Sequence, residues 1–340
     1  MLPAASVLFG FFFGAAFGSF LNVVIYRFPR GMSLAHPPSH CPKCDHRLGG
    51  LDLFPLLSFL LAGAKCRYCK APIGWRYFFV ELLMGVVWAA LWWQFLVAGN
   101  DPARFIALAG FATALVAALF IDLEHFIIPD SINAIILLVG VLYNAWLITQ
   151  GAGWFDFAGV RLPSALAGWI VGTVVMWAIS FGGRLFLGRD AMGHGDIKLA
   201  RGIGAVLFPV AALISFGLSI VIGLIIGVIS IYFARRAQPE ESDEEDGYDE
   251  EPESLGGLSK AGLGYLMLVD VWALFAPKLE EKWFGPAYQS EEAEAEDDWK
   301  PGNTTIPFGP ALAIAAIVTV LFEGQLLGFG QMYLDWALRR

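Results

Sequence analysis

The sequence predicts an all-α, polytopic membrane protein with about eight transmembrane helices. Hydrophobic residues make up 57% of its 340 residues and charged residues only 16%, a far more apolar balance than soluble domains have. Uncharged apolar stretches recur along the chain, and several reach the roughly 20 residues that a helix needs to cross a bilayer. All four cysteines fall in one loop between the first two stretches. Together these observations predict a helical membrane core with a cytoplasmic, zinc-ribbon-like loop.

Seven apolar regions mark the predicted spans. Pro209 interrupts the sixth region, which is also too long for a single span, so we divide it there into a short helix and a full one. The division brings the predicted number of transmembrane segments to eight. In chain order the regions lie near 4–25, 77–98, 103–121, 132–149, 164–187, 199–233 and 309–333.

The charges of the first loop predict the orientation of the chain. The loop from Arg27 to Arg76 carries eight basic residues against two acidic ones, and the positive-inside rule places such a loop in the cytoplasm. Counting spans from this loop brings Asp122 and Asp196 to the cytoplasmic face as well. The predicted topology is therefore multi-pass, with two acids on the same side of the membrane.

These two acids carry the predicted chemistry. Asp122 ends the third predicted span, and Asp196 lies directly before the sixth apolar region. An acidic residue near the hydrocarbon of the bilayer is energetically costly, so it indicates a functional role. Two acids at the same end of two spans suggest a shared site. Two close carboxylates tend to share one proton, so that one polarises a carbonyl while the other activates water. The pair predicts aspartyl hydrolysis of a peptide bond at a membrane face.

Two further acids, Glu124 and Asp130, compete with Asp122 for this role. Asp130 follows Pro129 and precedes the fourth predicted span, so its expected role is to cap the amino end of that helix. Asn also caps helices well, and an Asp130→Asn variant is therefore expected to keep substantial activity.

Three residues around Asp196 are predicted to support it. Gly193 and Gly195 let the backbone approach a substrate or bend beside the acid, although close helix packing by small residues is an alternative explanation. Lys198 either neutralises the site or holds a substrate carbonyl, or it is an interfacial anchor that snorkels to the membrane surface. Both alternatives stay open for each residue at this point.

A fourth supporting candidate, Glu81, lies inside the second predicted span. A carboxylate is costly at that depth unless it is paired. We expect its partner to be Arg27 or Arg76.

The cysteines form two C-x-x-C knuckles separated by 21 residues. This spacing predicts a tetrathiolate zinc site, because each knuckle supplies two thiolates and the metal closes the loop between them. Disulfides are the alternative, and a reducing cytoplasm argues against them. The zinc is expected to be structural, since the loop has too little core of its own. The predicted ligands are Cys41, Cys44, Cys66 and Cys69.

Charge is concentrated near the carboxyl end of the chain. Residues 238–300 hold 19 acidic residues and four lysines, a net charge of −15 within a chain whose net charge is −9. Such acidic blocks are typical of solvated, disordered segments. Within them, Leu263–Phe275 is apolar but only 13 residues long and contains Asp270, which predicts a small amphipathic helix lying on the membrane or on the protein.

The sequence therefore divides into five predicted regions. They are a first span (1–26), a cytoplasmic zinc-binding loop (27–76), a transmembrane aspartyl protease core (77–237), an acidic, largely disordered cytoplasmic insert with a short apolar segment (238–303), and a last span (304–340).

An ordered set of motifs resembles the bacterial prepilin peptidases, the type IV leader peptidases. The likeness covers nearly the whole chain outside 238–300. The motifs are, in order, Gly18-Ser19-Phe20-Leu21-Asn22, the two C-x-x-C knuckles, Arg76-Tyr77 with Val80-Glu81-Leu82, Asp122 with Ile128-Pro129-Asp130, Gly193-His194-Gly195-Asp196-Ile197-Lys198, and Pro307-Phe308-Gly309-Pro310.

The resemblance implies an activity, substrates and a location. It implies cleavage of the positively charged leader of type IV prepilin or type II secretion pseudopilin precursors, with Asp122 and Asp196 at the family's catalytic positions. It also implies methylation of the new amino terminus with S-adenosylmethionine, a methyl donor for which the residues themselves show no signature. The expected location is the bacterial inner membrane, with the active site at its cytoplasmic face. The expected partners are the lipid bilayer and the precursor proteins. No nucleic-acid partner is expected.

Two other classes of protein remain as alternatives. Another G-x-G-D intramembrane protease would share the acid pair but not the zinc-ribbon loop or the amino-terminal motif. A non-enzymatic zinc-bearing membrane scaffold or a proton-coupled transporter would also carry intramembrane acids. A transporter should show internal repeats and acids near the bilayer midplane, and neither is seen in the sequence.

Overall fold

The computed structural model describes residues 3–188, 192–237, 254–284 and 307–328, and nearly all of them are helical or connect helices. The chain forms two compact units, Met1–Ile121 and Asp122–Arg340. The predicted all-α membrane fold is confirmed, apart from one short β-hairpin in the second unit.

The first unit is built on helices that pack through small residues. A side chain at Gly14 or Gly18 of α1 would collide with the backbone of α3, so glycine at these positions lets the two helices approach closely. The elements are α1 (Ser6–Arg27), α2 (Leu57–Leu61), α3 (Trp75–Leu91), a π-helix that continues α3 (Trp92–Ala98), and the larger part of α4 (Pro102–His125).

The second unit surrounds one long helix. It contains α5 (Asp130–Thr149), an antiparallel hairpin of β1 (Trp154–Phe157) and β2 (Val160–Pro163), α6 (Ser164–Leu187), α7 (His194–Ala237) and α11 (Gly309–Leu321). Helix α7 packs against α5, α6 and α11. Gly168 and Gly172 of α6 face Gly204 and Ala200 of α7 so closely that an added methyl group would strike the opposite backbone. Small residues four apart thus allow close packing of the two helices.

Six described helices are long and apolar enough to cross a membrane, and α11 is a shorter apolar helix. Helix α7 is broken at Phe208, whose φ of 63° and ψ of 171° lie outside the helical region. Phe208 precedes Pro209, and a residue before proline avoids the helical conformation because of a clash with the proline ring. The predicted break near Pro209 is therefore confirmed. The total of eight spans stays a prediction, since residues 329–340 lie outside the described part of the chain.

Part of the predicted acidic insert is folded. Residues 254–284 form α8 (Leu255–Leu266), α9 (Val269–Ala273) and α10 (Pro277–Phe284). The predicted single helix over Leu263–Phe275 is wrong, because Leu268 has a left-handed conformation (φ 59°) that separates α8 from α9. Helix α8 packs on α6 and α9 packs on α5, so the apolar segment lies on the protein. The acidic runs at 238–253 and 285–306 lie outside the described residues, and their disorder stays a prediction.

Candidate active site and metal-binding loop

The two candidate catalytic acids meet in the second unit. Asp122 lies in the last turn of α4, which ends where Phe126 adopts a left-handed conformation (φ 57°) and its N–H donates to the Asp122 carbonyl at 2.9 Å. Asp196 lies in the first turn of α7. The charge of Asp122 acts directly on the Asp196 carboxyl, and Asp122 is only 5% exposed. Two separate helix ends thus place the carboxyls near enough for their charges to interact.

A backbone donor from α11 completes the surroundings of Asp122. The N–H of Gly309, the first residue of α11, donates a hydrogen bond to the Asp122 carboxylate. The amino end of a helix carries a partial positive charge, so it stabilises an anion placed there. A Cβ at position 309 would overlap the Asp122 carboxylate and would also come within 2.8 Å of Ile128 Cδ1. Glycine is therefore the residue that permits this approach.

Gly309 is a functional candidate that sequence reasoning did not single out. The motif Pro307-Phe308-Gly309-Pro310 was visible as part of the resemblance, but nothing in it predicts contact with an acid about 190 positions earlier. Only the fold shows why a glycine stands there.

The two glycines beside Asp196 have different roles. The Gly193 N–H donates a hydrogen bond to the Asp196 carboxylate. Gly195 packs on Ile128, since a Cβ at Gly195 would lie 3.3 Å from Ile128 Cβ. Ile128 is thus a neighbour of both Gly195 and Gly309, and it leaves less room at Gly309. Gly195 therefore has a packing contact, whereas Gly193 contributes a backbone donor.

Lys198 is held inside the protein. It is 2% exposed, and its Nζ lies 2.6 and 2.7 Å from the two carboxylate oxygens of Asp130. The interpretation of Lys198 as an interfacial anchor is therefore wrong, because a snorkelling ammonium would reach the membrane surface. The predicted capping role of Asp130 is also wrong. The capping position of α5 is Pro129, no side chain among the described residues caps this helix end, and Lys198 binds the Asp130 carboxylate.

Glu81 belongs to the first unit, where it holds the loop before α2 through hydrogen bonds. Its carboxylate accepts hydrogen bonds from the Leu56 N–H at 2.8 Å and from the Ser19 side chain. Leu56 has a left-handed conformation (φ 61°), so Glu81 stabilises a strained turn in the loop before α2. The expected partner Arg27 instead donates to the Ser33 carbonyl at 2.9 Å.

The four cysteines form a second candidate site, in the loop between α1 and α3. Their sulfur atoms all lie within 4.8 Å of one another, and Cys41 Sγ is 3.8 Å from Cys69 Sγ. Sulfur atoms at two corners of a zinc tetrahedron are separated by about 3.8 Å when each Zn–S bond is about 2.3 Å. The cluster can therefore hold a metal ion, and the predicted ligand set is brought together.

The two knuckles have the same backbone pattern. The Asp45 N–H donates to the Cys41 carbonyl at 2.9 Å, and the Lys70 N–H donates to the Cys66 carbonyl at 3.0 Å. Asp45 and Lys70 both have positive φ, of 52° and 60°. Each knuckle is thus a tight turn that points two sulfurs to one side. The two turns have the same local backbone structure.

Backbone hydrogen bonds favour the thiolate form of Cys66. The backbone N–H groups of Cys69 and Tyr68 donate to Cys66 Sγ and lower the pKa of this thiol to about 7. The thiolate is the form that binds metals, so these donors favour metal binding near neutral pH.

The chain is similar to known proteins in both regions that contain the candidate sites. Residues 12–95 match a family described as the bacterial peptidase A24 N-terminal domain, and residues 109–228 match the type IV leader peptidase family. The first match contains the four cysteines, and the second contains Asp122 and Asp196. No solved protein structure matches the chain.

Several relatives are similar over most of their length. A protein of Myxococcus xanthus is 33% identical over 320 residues, which cover 92% of this chain and 89% of that protein. A protein of Stutzerimonas stutzeri is 32% identical and one of Neisseria gonorrhoeae is 30% identical, and each alignment covers 67% of this chain and 82% of the relative. All three are named prepilin leader peptidase/N-methyltransferase.

Proposed function

Because the chain belongs to the type IV leader peptidase family, we propose that Asp122 and Asp196 are the catalytic pair of a membrane aspartyl endopeptidase. The proposed substrates are type IV prepilin or pseudopilin precursors, whose basic leader the enzyme removes. The observation that carries the proposal is the electrostatic interaction of two carboxyls from the ends of two apolar helices. Membership of a peptidase family leaves the scaffold and transporter alternatives without support.

The proposed chemistry uses one proton shared between two carboxyls. The ionised carboxyl removes a proton from a water molecule, whose oxygen attacks the carbonyl carbon of the peptide bond. The protonated carboxyl donates to the carbonyl oxygen as the tetrahedral intermediate forms. Collapse of the intermediate breaks the C–N bond, and a carboxyl delivers a proton to the departing amine. Asp122 and Asp196 act as one unit, so neither is assigned a fixed protonation state.

Two backbone donors hold the pair in place. The Gly309 N–H binds the Asp122 carboxylate and the Gly193 N–H binds the Asp196 carboxylate. Each donor belongs to the start of a helix, where the partial positive charge reduces the repulsion between two acids kept close together. This support lets the carboxyls keep a geometry that like charges alone would oppose.

The location and the substrate fit together in this proposal. The excess of basic residues in the first loop favours a cytoplasmic position for that loop and for the acid pair. A precursor whose basic leader stays in the cytoplasm and whose apolar segment lies in the bilayer would then present its cleavage site at the same face. The proposed location is the bacterial inner membrane.

Methylation of the new amino terminus is the second proposed activity. It is supported by the names of the relatives, which include an N-methyltransferase activity. S-adenosylmethionine is the proposed methyl donor. Mass analysis of the processed amino terminus, with and without this donor, tests the activity, and an unchanged mass in its presence contradicts it.

We propose that the four-cysteine loop carries one structural zinc ion. Zinc is expected because four thiolates at this spacing suit its tetrahedral coordination. Purified, reduced protein should contain about one zinc per chain. Replacing Cys41 and Cys66 by Ser should remove the metal and increase proteolysis of the loop, since the loop loses the bonds that close it. Metal analysis that finds no zinc in fresh wild-type protein would contradict the assignment.

The contact between Lys198 and Asp130 leads to a stability prediction. An Asp130→Asn variant should unfold more readily, by about 3 kcal/mol, because it removes the carboxylate that lies 2.6 Å from the buried Lys198 ammonium. Thermal unfolding in detergent measures the effect. Asp156, which is exposed on the hairpin, provides a matched control, and Asp156→Asn should unfold as the wild type does. Equal stability of both variants would show that the ion pair contributes little.

A direct assay tests the proposed function. Purified protein is incubated with a pilin-like precursor, and the products are resolved by mass spectrometry. Release of an intact leader supports the proposal, and an unprocessed precursor at high enzyme concentration opposes it.

A further inference from the structure

The folded part of the acidic region, residues 254–284, is fixed to α7 by a buried ion pair. Arg201 of α7 is fully buried, and Asp270 of α9 is 2% exposed. Arg201 Nη1 lies 2.8 Å from Asp270 Oδ1, and Arg201 Nη2 lies 2.6 Å from Asp270 Oδ2. Arg201 Nη1 also donates to the Tyr265 carbonyl at 3.0 Å. This two-point contact fixes the orientation of the segment on α7.

The same segment reaches the amino end of α7, where Asp196 lies. Tyr265 is fully buried, and its hydroxyl is 2.6 Å from Nδ1 of His194, the first residue of α7. Lys198 Nζ lies 5.8 Å from the centre of the Tyr265 ring. Tyr265 therefore contacts residues on both sides of Asp196 in the sequence.

A short chain of contacts connects Tyr265 to the Asp196 carboxylate. The Tyr265 hydroxyl binds the His194 ring, His194 follows Gly193, and the Gly193 N–H donates to the Asp196 carboxylate. Among the described residues, which leave out 189–191, the nearest atom to a Cβ built on Gly193 is Asp196 Oδ2 at 3.7 Å. The side chain of the next residue, His194, is in a position to hold this turn through its contact with Tyr265.

We propose that Tyr265 is a positioning residue of the active site, which acts through His194 to hold the Gly193 N–H against the Asp196 carboxylate. In this proposal the folded 254–284 segment contributes to catalysis. This inference rests on the proposed catalytic role of Asp196. The ion pair between Asp270 of this segment and Arg201 of α7 supplies the rigidity that a positioning contact needs. The Arg201 guanidinium binds both Asp270 and the backbone carbonyl of Tyr265 itself.

The test compares cleavage kinetics of Tyr265→Phe, His194→Ala and the double variant. Tyr265→Phe keeps the ring and its contact with Lys198 but removes the hydroxyl. We expect each single variant to lower kcat about tenfold with KM nearly unchanged, because misplacing a catalytic group costs rate rather than substrate binding. If the two side chains act through one contact, the double variant should be no slower than the slower single variant.

Trp177→Phe is the matched control. Trp177 Nε1 of α6 donates to the Leu258 carbonyl of α8 at 2.9 Å, so this variant also removes one hydrogen bond that holds the segment, but at a contact that does not involve His194. It should keep a normal kcat. An equal loss in Trp177→Phe would show that general loosening of the segment is responsible and would contradict the proposal.

The remaining outcomes are also decisive. A normal kcat for Tyr265→Phe, or losses that multiply to about a hundredfold in the double variant, would overturn the positioning role. If His194→Ala does not accumulate in membranes, His194→Gln takes its place in the comparison. Asp196→Asn is measured alongside, because normal cleavage by that variant would reject the proposed catalytic pair, whereas its inactivity together with an unaffected Tyr265→Phe would reject only the role of Tyr265.

Discussion

Asp122→Asn and Asp196→Asn are each expected to slow cleavage of a prepilin-like precursor by about a thousandfold or more. Asparagine has nearly the size of aspartate but can neither remove a proton from water nor donate one as an acid. The charge of Asp122 acts on the Asp196 carboxyl, and the two groups share one proton in the proposed mechanism. Loss of either group therefore disables the whole unit. The measurement is the rate of leader release by purified variants.

The control for this prediction is Asp156→Asn. Asp156 lies on β1 in the same unit, its side chain is 71% exposed, and its contact with Arg161 is a long surface pair of 3.9 Å. The control should retain the wild-type rate, which shows that removal of one negative charge alone has no effect. Both active-site variants should remain folded in detergent, because the protonated and amide forms fit the same space. Normal cleavage by either variant would refute its catalytic role.

Gly309→Ala is expected to lower kcat by about a hundredfold, the second largest effect. The added methyl group would overlap the Asp122 carboxylate and press on Ile128 Cδ1 at 2.8 Å. Asp122 or the start of α11 must then move, and the hydrogen bond from the Gly309 N–H is lost. A displacement of about 1 Å in a catalytic group is enough for a loss of this size.

Gly217→Ala is the matched control for Gly309→Ala. Gly217 lies in α7, and a Cβ built on it meets no atom of the described residues within 4 Å. Alanine favours a helix more than glycine does, so this variant should be at least as stable as the wild type and equally active. If Gly309→Ala cleaves as fast as Gly217→Ala, the close approach of α11 to Asp122 has no catalytic importance.

The sequence was sufficient to predict the elements of the fold. Apolar stretches of span length predicted the long helices, and Pro209 predicted the break in α7, because both follow from local properties of the chain. The two C-x-x-C knuckles predicted the cysteine cluster, since this spacing itself places sulfurs on one side of a turn. Asp122 and Asp196 were also predicted as a pair, because a carboxyl at the end of an apolar helix is rare without a function.

Contacts between distant segments could not be predicted in the same way. Asp130 has the sequence context of a helix cap, yet its carboxylate binds Lys198, 68 positions later. Asp270 lies in a segment whose sequence predicts a small amphipathic helix, yet its side chain is buried against Arg201. Gly309 gave no sign of its contact with Asp122. Each of these pairings depends on how helices pack around α7, and no local pattern contains that information.

The most direct test of the account is the cleavage rate of the Asp122→Asn, Asp196→Asn double variant beside the two single variants, with purified enzyme and one precursor. If the carboxyls form a single proton-sharing unit, the double variant retains the same residual rate as the single variants, because the unit is already lost when one member is removed. A residual rate in the double variant that falls by the product of the two single losses would show that the acids act independently. That result, or normal cleavage by any of the three, would contradict the shared site.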